Sequence, residues 1–245
     1  KIKNNKKYIN IILYSLVGGL LILCNREFIA IIILSSFYLL FFFKISFKKI
    51  LLIILVTSIT ISPYLVRNYI VFDKIIMGAG FGYNLWKGNN PNSKVEGSEF
   101  VNENLKNLIN KIPKDKFYRI KENEIFIEEA IKNIKGDTTK YFFLYIKKFL
   151  SYFFIDLEST NQHYYNPFHY IPNLLLGVMS LIGIFLSYKK SSSFNYLILI
   201  LLFYLFIFPF FAIQPRYKMY IIPFQIIFFT VFIEYIIKKF QQNKF

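Results

Sequence analysis

Three places in this sequence put an arginine beside another polar residue at the end of an apolar run. They are Arg26 with Glu27, Arg67 with Asn68 after Ser62 and Pro63, and Arg216 with Tyr217 after Pro215. A guanidinium next to hydrocarbon is costly and tends to line a cavity, and its planar fork suits the oxygens of a phosphate. If the apolar runs form one bundle, all three arginines reach the same outer face and make a cationic pocket for a lipid-linked phosphate. The competing reading is that each arginine snorkels to headgroups by itself. A second group of candidates follows Gly78, Gly80 and Gly82, where Asn84, Trp86, Asn89 and Asn90 offer amides and an aromatic face. Such groups suit sugar hydroxyls; a plain structural loop is the alternative.

Other chemistries find little support. Tyr83 follows the glycines and no parallel-sheet unit surrounds them, which excludes a dinucleotide-binding turn and a P-loop. The glycines instead allow close backbone approach, and residues 78–91 read as an ordered, mostly irregular loop. His163 and His169, near Asp156 and Glu158, do not have a metal-ligand spacing and read as interface histidines. Cys24 is the only cysteine, so the chain can build neither a disulfide nor a cysteine-based metal site. No Ser, His and Asp arrangement is apparent. No cofactor is identified, and a divalent-metal requirement is left open.

The elements that must position these residues are apolar. The 245 residues are 55% hydrophobic and 20% aromatic, with mean hydropathy +0.42, which makes lipid the simplest solvent. The expected fold is an all-α, polytopic transmembrane helix bundle with spans near 8–24, 28–43, 49–66, 168–188, 194–213 and 219–237. The net charge of +16 comes from lysines clustered at span ends, which fits anionic lipid headgroups and argues against nucleic acid. Lys1, Lys3, Lys6, Lys7, Lys44, Lys48, Lys49, Lys189, Lys190, Lys238, Lys239 and Lys244 fall on one side of a six-span alternation. That side is cytoplasmic by the positive-inside rule.

The organisation that follows has spans in 1–66, one large extracytoplasmic loop over 67–167, and spans with a basic cytoplasmic tail in 168–245. Inside the loop, Ile120, Ile127, Ala130, Ile131 and Ile134 recur near helical spacing and predict an amphipathic helix over 117–135. Residues 141–157 are apolar but interrupted by Lys147 and Lys148, which fits an interfacial helix better than a seventh span. Tyr164, Tyr165, Phe168 and Tyr170 sit where an aromatic interface belt is expected.

The stretch from Ile61 through Pro63, Tyr64, Arg67 and Asn68 to Tyr69, with Gly82-Tyr83-Asn84-Leu85-Trp86-Lys87-Gly88-Asn89-Asn90-Pro91, resembles bacterial membrane glycosyltransferases. The family is the C-type (GT-C) superfamily, in its protein-mannosyltransferase and aminoarabinose-transferase branch. Its pattern is a Pro-Trp-x-x-Arg-Asn exit followed by a Gly-x-Asn-Leu-Trp-x-Gly-Asn-Asn-Pro loop; Tyr64 stands for the tryptophan. Gly18-Gly19-Leu20 through Asn25-Arg26-Glu27 is similar to its Gly-Leu followed by Thr-Arg-Pro-Glu, with Asn25 departing and the proline missing. Residues 128–154 look like its helix leading to a lysine-rich aromatic segment. Gln214-Pro215-Arg216-Tyr217 is similar to its late Arg-Tyr.

The resemblance implies the C-terminal portion of an enzyme in the bacterial cytoplasmic membrane that moves a sugar from a polyprenyl-phosphate donor to a lipid, glycan or protein acceptor. It implies phosphate contact at Arg67 and Arg216, sugar or acceptor contact at Asn84, Trp86, Asn89 and Asn90, and a pocket shaped by Arg26, Glu27, Asn68 and Tyr217. The family's catalytic carboxylate has no counterpart here and is expected in an upstream part. A lipid or glycan flippase or transporter is the main alternative, and a non-catalytic scaffold a third.

Overall fold

The computed structural model describes residues 4–159, 166–188 and 190–242. Lys1, Lys3, Lys189, Lys244, His163, Tyr164 and Tyr165 lie outside the described residues. The chain is all-helical, with no strand among the described residues, and divides into two compact units, Lys1–Gly78 and Ala79–Phe245.

The first unit contains α1 (Asn4–Cys24), α2 (Phe28–Phe41) and α3 (Phe47–Phe72). Small residues let α1 and α3 pack closely: Ser15 is fully buried, and the Thr57 hydroxyl donates to the Ser15 carbonyl at 3.2 Å. In the second unit come α4 (Phe81–Gly88), α5 (Glu103–Asn110), α6 (Tyr118–Gly136), α7 (Thr138–Phe153), α8 (Pro167–Ser187), α9 (Ser192–Ile207) and α10 (Ile222–Gln242). Two 3-10 turns, Phe208–Phe210 and Pro215–Tyr220, separate α9 from α10. Side chains start several of these helices by accepting otherwise orphaned backbone N–H groups: Asn102 for α5, Asp137 for α7, Asn166 for α8 and Ser191 for α9.

Each of the six apolar runs contains a helix, but α2 ends at Phe41 rather than 43, α3 continues to Phe72, past 66, and α9 ends at Ile207, short of 213. Three helical stretches, Phe47–Phe72, Pro167–Ser187 and Ser192–Phe210, are long and apolar enough to cross a membrane. At 14 residues, α2 reaches about 21 Å, short of a hydrocarbon core of roughly 30 Å. The third helix of the second half starts at Ile222 rather than 219, because Pro215 and Pro223 restrict the approach to it and the chain enters through a 3-10 turn.

The amphipathic segment forms α6 as expected, but it buries Ile120, Phe126 and Ala130 while Ile131 stays 41% exposed. Residues 138–153 form α7, and the helix stops at Phe153 rather than near 157. One expectation fails clearly: the glycine-rich stretch 78–91 is not mainly irregular, since residues 81–88 form α4. Tertiary packing overrides the low helix propensity of its glycines. A Cβ on Gly82 would stand 2.1 Å from the Asn123 carbonyl oxygen of α6, so only glycine permits this approach. Asn123 Oδ1 accepts the Gly82 N–H at 2.7 Å.

Candidate functional site

The residues after α4 are held by their own side chains. Trp86 is 2% exposed in a core with Leu105, Phe126 and Ala130, its ring centroid 5.0 Å from that of Phe126. Asn89 donates to the carbonyls of Leu85 at 2.8 Å and Phe210 at 2.7 Å. Asn90 donates to the Ser98 carbonyl at 2.6 Å and accepts from the Asn92 N–H. Of the four candidates for sugar contact, Trp86, Asn89 and Asn90 are therefore buried and engaged in the fold, and Asn84 is exposed. Their pattern shapes a wall.

That wall is laced to the segment between α9 and α10. The Ile213 N–H donates to the Val95 carbonyl at 2.8 Å. Lys148, fully buried on α7, donates to the Gly88 carbonyl at 2.7 Å. A Cβ on Gly88 would lie 2.6 Å from Phe211 and Ala212 backbone atoms, which makes glycine obligatory at this crossing. Burial without a facing carboxylate pulls the Lys148 ammonium down to about 7.

A cleft of about 410 Å³ opens beside this junction, lined by Lys87, Glu96, Glu99, Gln214 and Arg216 with Gly97 and Pro215. Lys87 is ion-paired with Glu99, and this hydrogen-bonded ammonium holds the Glu99 carboxyl below the usual range. Glu96 accepts a hydrogen bond from the Ser159 hydroxyl. Arg216 is exposed, lies 5.4 Å from the Tyr217 ring centroid, and has no carboxylate partner among the described residues. Tyr217 is half-buried, its carbonyl accepting from the Tyr152 hydroxyl at 3.2 Å.

Two buried ionisable groups neighbour the cleft residues. Asp156 is 5% exposed; its Oδ1 accepts the Glu158 N–H at 2.9 Å, while its buried Oδ2 has no hydrogen-bond partner. Burial chiefly, with help from Glu96 and Glu158, raises its pKa above the ordinary value. Lys218 donates to the Phe154 carbonyl, and burial lowers it to about 8 against the opposing attraction of Asp156. Among the described residues no group of three or more His, Cys, Asp or Glu side chains is placed to hold a metal ion.

In the first unit, Arg26 Nη1 donates to the Gly78 carbonyl at 2.9 Å beside a recess of about 340 Å³ lined in part by Leu23, Asn25, Tyr64 and Met77. Glu27 is exposed by area, yet local desolvation raises its carboxyl, opposed by the Asn25 hydrogen bond and by Arg26. Arg67 is also exposed; its Nη1 donates to Asn68 Oδ1 at 2.9 Å, and buried Asn68 donates to the Ile76 carbonyl at 2.7 Å. Arg26 borders the recess and Arg67 does not. The cleft in the second unit gathers Arg216 with Lys87.

Several residues at this junction escape the motif-based reading. Glu96 and Glu99 carry no pattern of their own, and Lys87 and Gln214 stand at unspecified positions of the stretches that carry the resemblance. Lys148 does carry one: with Tyr141, Leu144, Ser151 and Tyr152 it follows helical spacing on the buried face of α7. No family model matches the chain, and no curated protein or solved structure matches it.

Proposed function

We propose that this chain is part of a polytopic membrane glycosyltransferase that draws its sugar from a polyprenyl-phosphate donor. The observation that carries the reading is Arg216: an exposed cation without a carboxylate partner among the described residues, in one cleft with Lys87, just ahead of an apolar helix. A guanidinium so placed suits a phosphate whose lipid tail runs between helices. The motif resemblance supplies the reaction class. In this reading the six apolar helices are six crossings of a bacterial cytoplasmic membrane, and residues 67–167 form the loop on its outer side. Charge clustering at the helix ends supports that orientation.

The transfer forms a bond from an acceptor oxygen to the anomeric carbon and breaks the bond from that carbon to the phosphate oxygen. The electron pair leaves with the phosphate, where Arg216 offsets the growing negative charge. A carboxylate takes the proton of the acceptor hydroxyl. Trp86, Asn89 and Asn90 act indirectly in this account, by fixing the wall that carries Lys87 and Glu96. Membranes containing the full-length protein, assayed for sugar transfer from polyprenyl-phosphate donors, test the reading. Replacing Arg216 with Ala is expected to lower transfer by at least about tenfold, the scale of one lost charge-assisted contact. Unchanged transfer in this variant sinks the phosphate assignment.

A further inference from the structure

The turn between α5 and α6 takes no part in the cleft around Arg216. Residues 111–121 contain Lys111, Lys114, Lys116, Arg119 and Lys121 against a single acid, Asp115, for a net charge of +4. All five cations are exposed, while Ile112 and Ile120, each 8% exposed, pin the turn to the fold. Asp115 is engaged locally: its Oδ1 accepts the Phe117 N–H at 2.8 Å, and its Oδ2 lies 3.6 Å from the Lys121 ammonium. Arg119 pairs with Glu122 at 2.8 Å, yet its side chain stays 77% exposed. Lys111 and Lys114 have no carboxylate partner among the described residues, and Lys116 only overlies the Phe117 ring at 5.0 Å.

Lys114, Lys116 and Arg119 line one cleft of about 400 Å³ together with Asp115 and Tyr118. Their placement opposes what a helix prefers. The first turn of α6 carries no acid and its N-cap residue, Phe117, makes no side-chain cap, so exposed cations stand where the helix dipole favours anions. An external anion would meet the side-chain charges and the positive helix end together. Lys111 and Lys121 lie outside the lining of the cleft, so the turn exposes more positive charge than one phosphate group can meet.

Two observations favour a polymer in the aqueous phase over a bilayer surface. Segments that lie on bilayers insert exposed apolar side chains beside their cations, and no large apolar side chain is exposed between residues 109 and 130. The 19 residues of α6 also put about 28 Å between this turn and the start of α7, whose Phe149 ring packs against Phe206 of the apolar helix α9. We propose that the α5–α6 turn docks an extended polymer bearing phosphate charges. Lys114, Lys116 and Arg119 hold one phosphate in the cleft, as ammonium and guanidinium donors suit its oxygens, and Lys111 and Lys121 meet further charges of the same chain. The inference stands independently of the sugar-transfer reading.

The test uses the full chain in nanodiscs of zwitterionic lipid, with labelled long-chain inorganic polyphosphate as the probe. The unmodified protein is expected to bind it with an affinity that falls steeply as salt rises. Lys114→Gln, Lys116→Gln and Arg119→Gln together should weaken binding by at least about tenfold, the scale of several lost charge-assisted contacts. Removing equal charge elsewhere, by Lys94→Gln, Lys132→Gln and Lys135→Gln, should change it by about twofold or less, because distant charges are screened. Trp86 shares a core with Phe126 and Ala130 of α6, so unchanged emission checks folding. If the cleft variant fails that check, Lys111→Gln with Lys114→Gln, at two exposed positions, should still weaken binding by about threefold or more. Equal losses in the two triple variants reduce the effect to net charge and overturn the site, as does an unmodified protein that fails to bind polyphosphate. Capture of the nanodiscs by phosphatidylglycerol vesicles without polyphosphate binding assigns the turn to a membrane surface and overturns the polymer.

Discussion

Replacing Lys148 with Met gives a sharp test of how the junction is built. The Lys148 ammonium is fully buried, is bonded to the Gly88 carbonyl at 2.7 Å, and is lowered by burial from 10.5 to about 7. Above about 7 the folded protein sheds this proton, while the unfolded chain keeps it until about 10.5. The unfolded state therefore binds more protons across that window, and stability rises with pH through it. Between about pH 7 and about pH 9 this single group should add ~2 kcal/mol to the stability of the unmodified protein.

Methionine has nearly the same length and no charge, so its variant lacks that contribution. It also leaves the Gly88 carbonyl without its lysine donor, a loss of ~1–3 kcal/mol that does not depend on pH. The two effects partly cancel near neutrality, so a measurement at one pH is uninformative and the difference between two is decisive. Trp86 is the only tryptophan and packs in the second unit's core, so its fluorescence follows unfolding there. Denaturation of both proteins in identical micelles should show the unmodified chain gaining ~2 kcal/mol on the variant as the pH rises over that range. Parallel pH dependences, within ~0.5 kcal/mol, would refute the claim that Lys148 is buried without a compensating charge.

Three further outcomes follow from the same geometry. Asn89→Ala removes bonds to two backbone carbonyls and should lower stability by ~2–4 kcal/mol, whereas Asn84→Ala, on the surface, should change it by less than ~0.5 kcal/mol; equal losses in denaturation midpoints would contradict their placement. Gly88→Ala forces a Cβ to 2.6 Å from backbone atoms and should abolish Trp86-monitored cooperative unfolding, while Gly136→Ala, with nothing within 4 Å, should be neutral or gain up to ~1 kcal/mol. A destabilised Gly136→Ala protein would count against the α6 terminus. The raised pKa of Asp156 means that its ionisation is disfavoured in the folded state, so its contribution is present below the ordinary 3.8 and lost as pH rises through the higher folded value. Asp156→Asn should flatten that acid-range decline, and an unchanged profile would show that Asp156 does not titrate abnormally.

The sequence by itself located the long apolar helices. Long apolar runs have few ways to satisfy their backbone groups, and period and length found a helix in each of the six and in α6, with ends misplaced by up to six residues. The two lysines interrupting 141–157 also marked α7 as unlike its neighbours. What local pattern could not supply was the partner of each residue. Gly78, Gly80 and Gly82 have low helix propensity, and only the close packing of α4 on α6 makes residues 81–88 helical.

The same limit governed the candidate site. Amides at 89 and 90 are chemically fit for sugar, and nothing in their spacing reveals that Phe210 and Ser98 occupy them. Glu96 carries no motif and Gln214 stands at an unspecified position of one, yet one hydrogen bond between Val95 and Ile213 ties their segments together. Residue type sets what a side chain can bind, and periodicity sets which face of a helix it occupies. Whether its capacity goes to the fold or to a ligand depends on segments distant in sequence, and tertiary structure alone decides that.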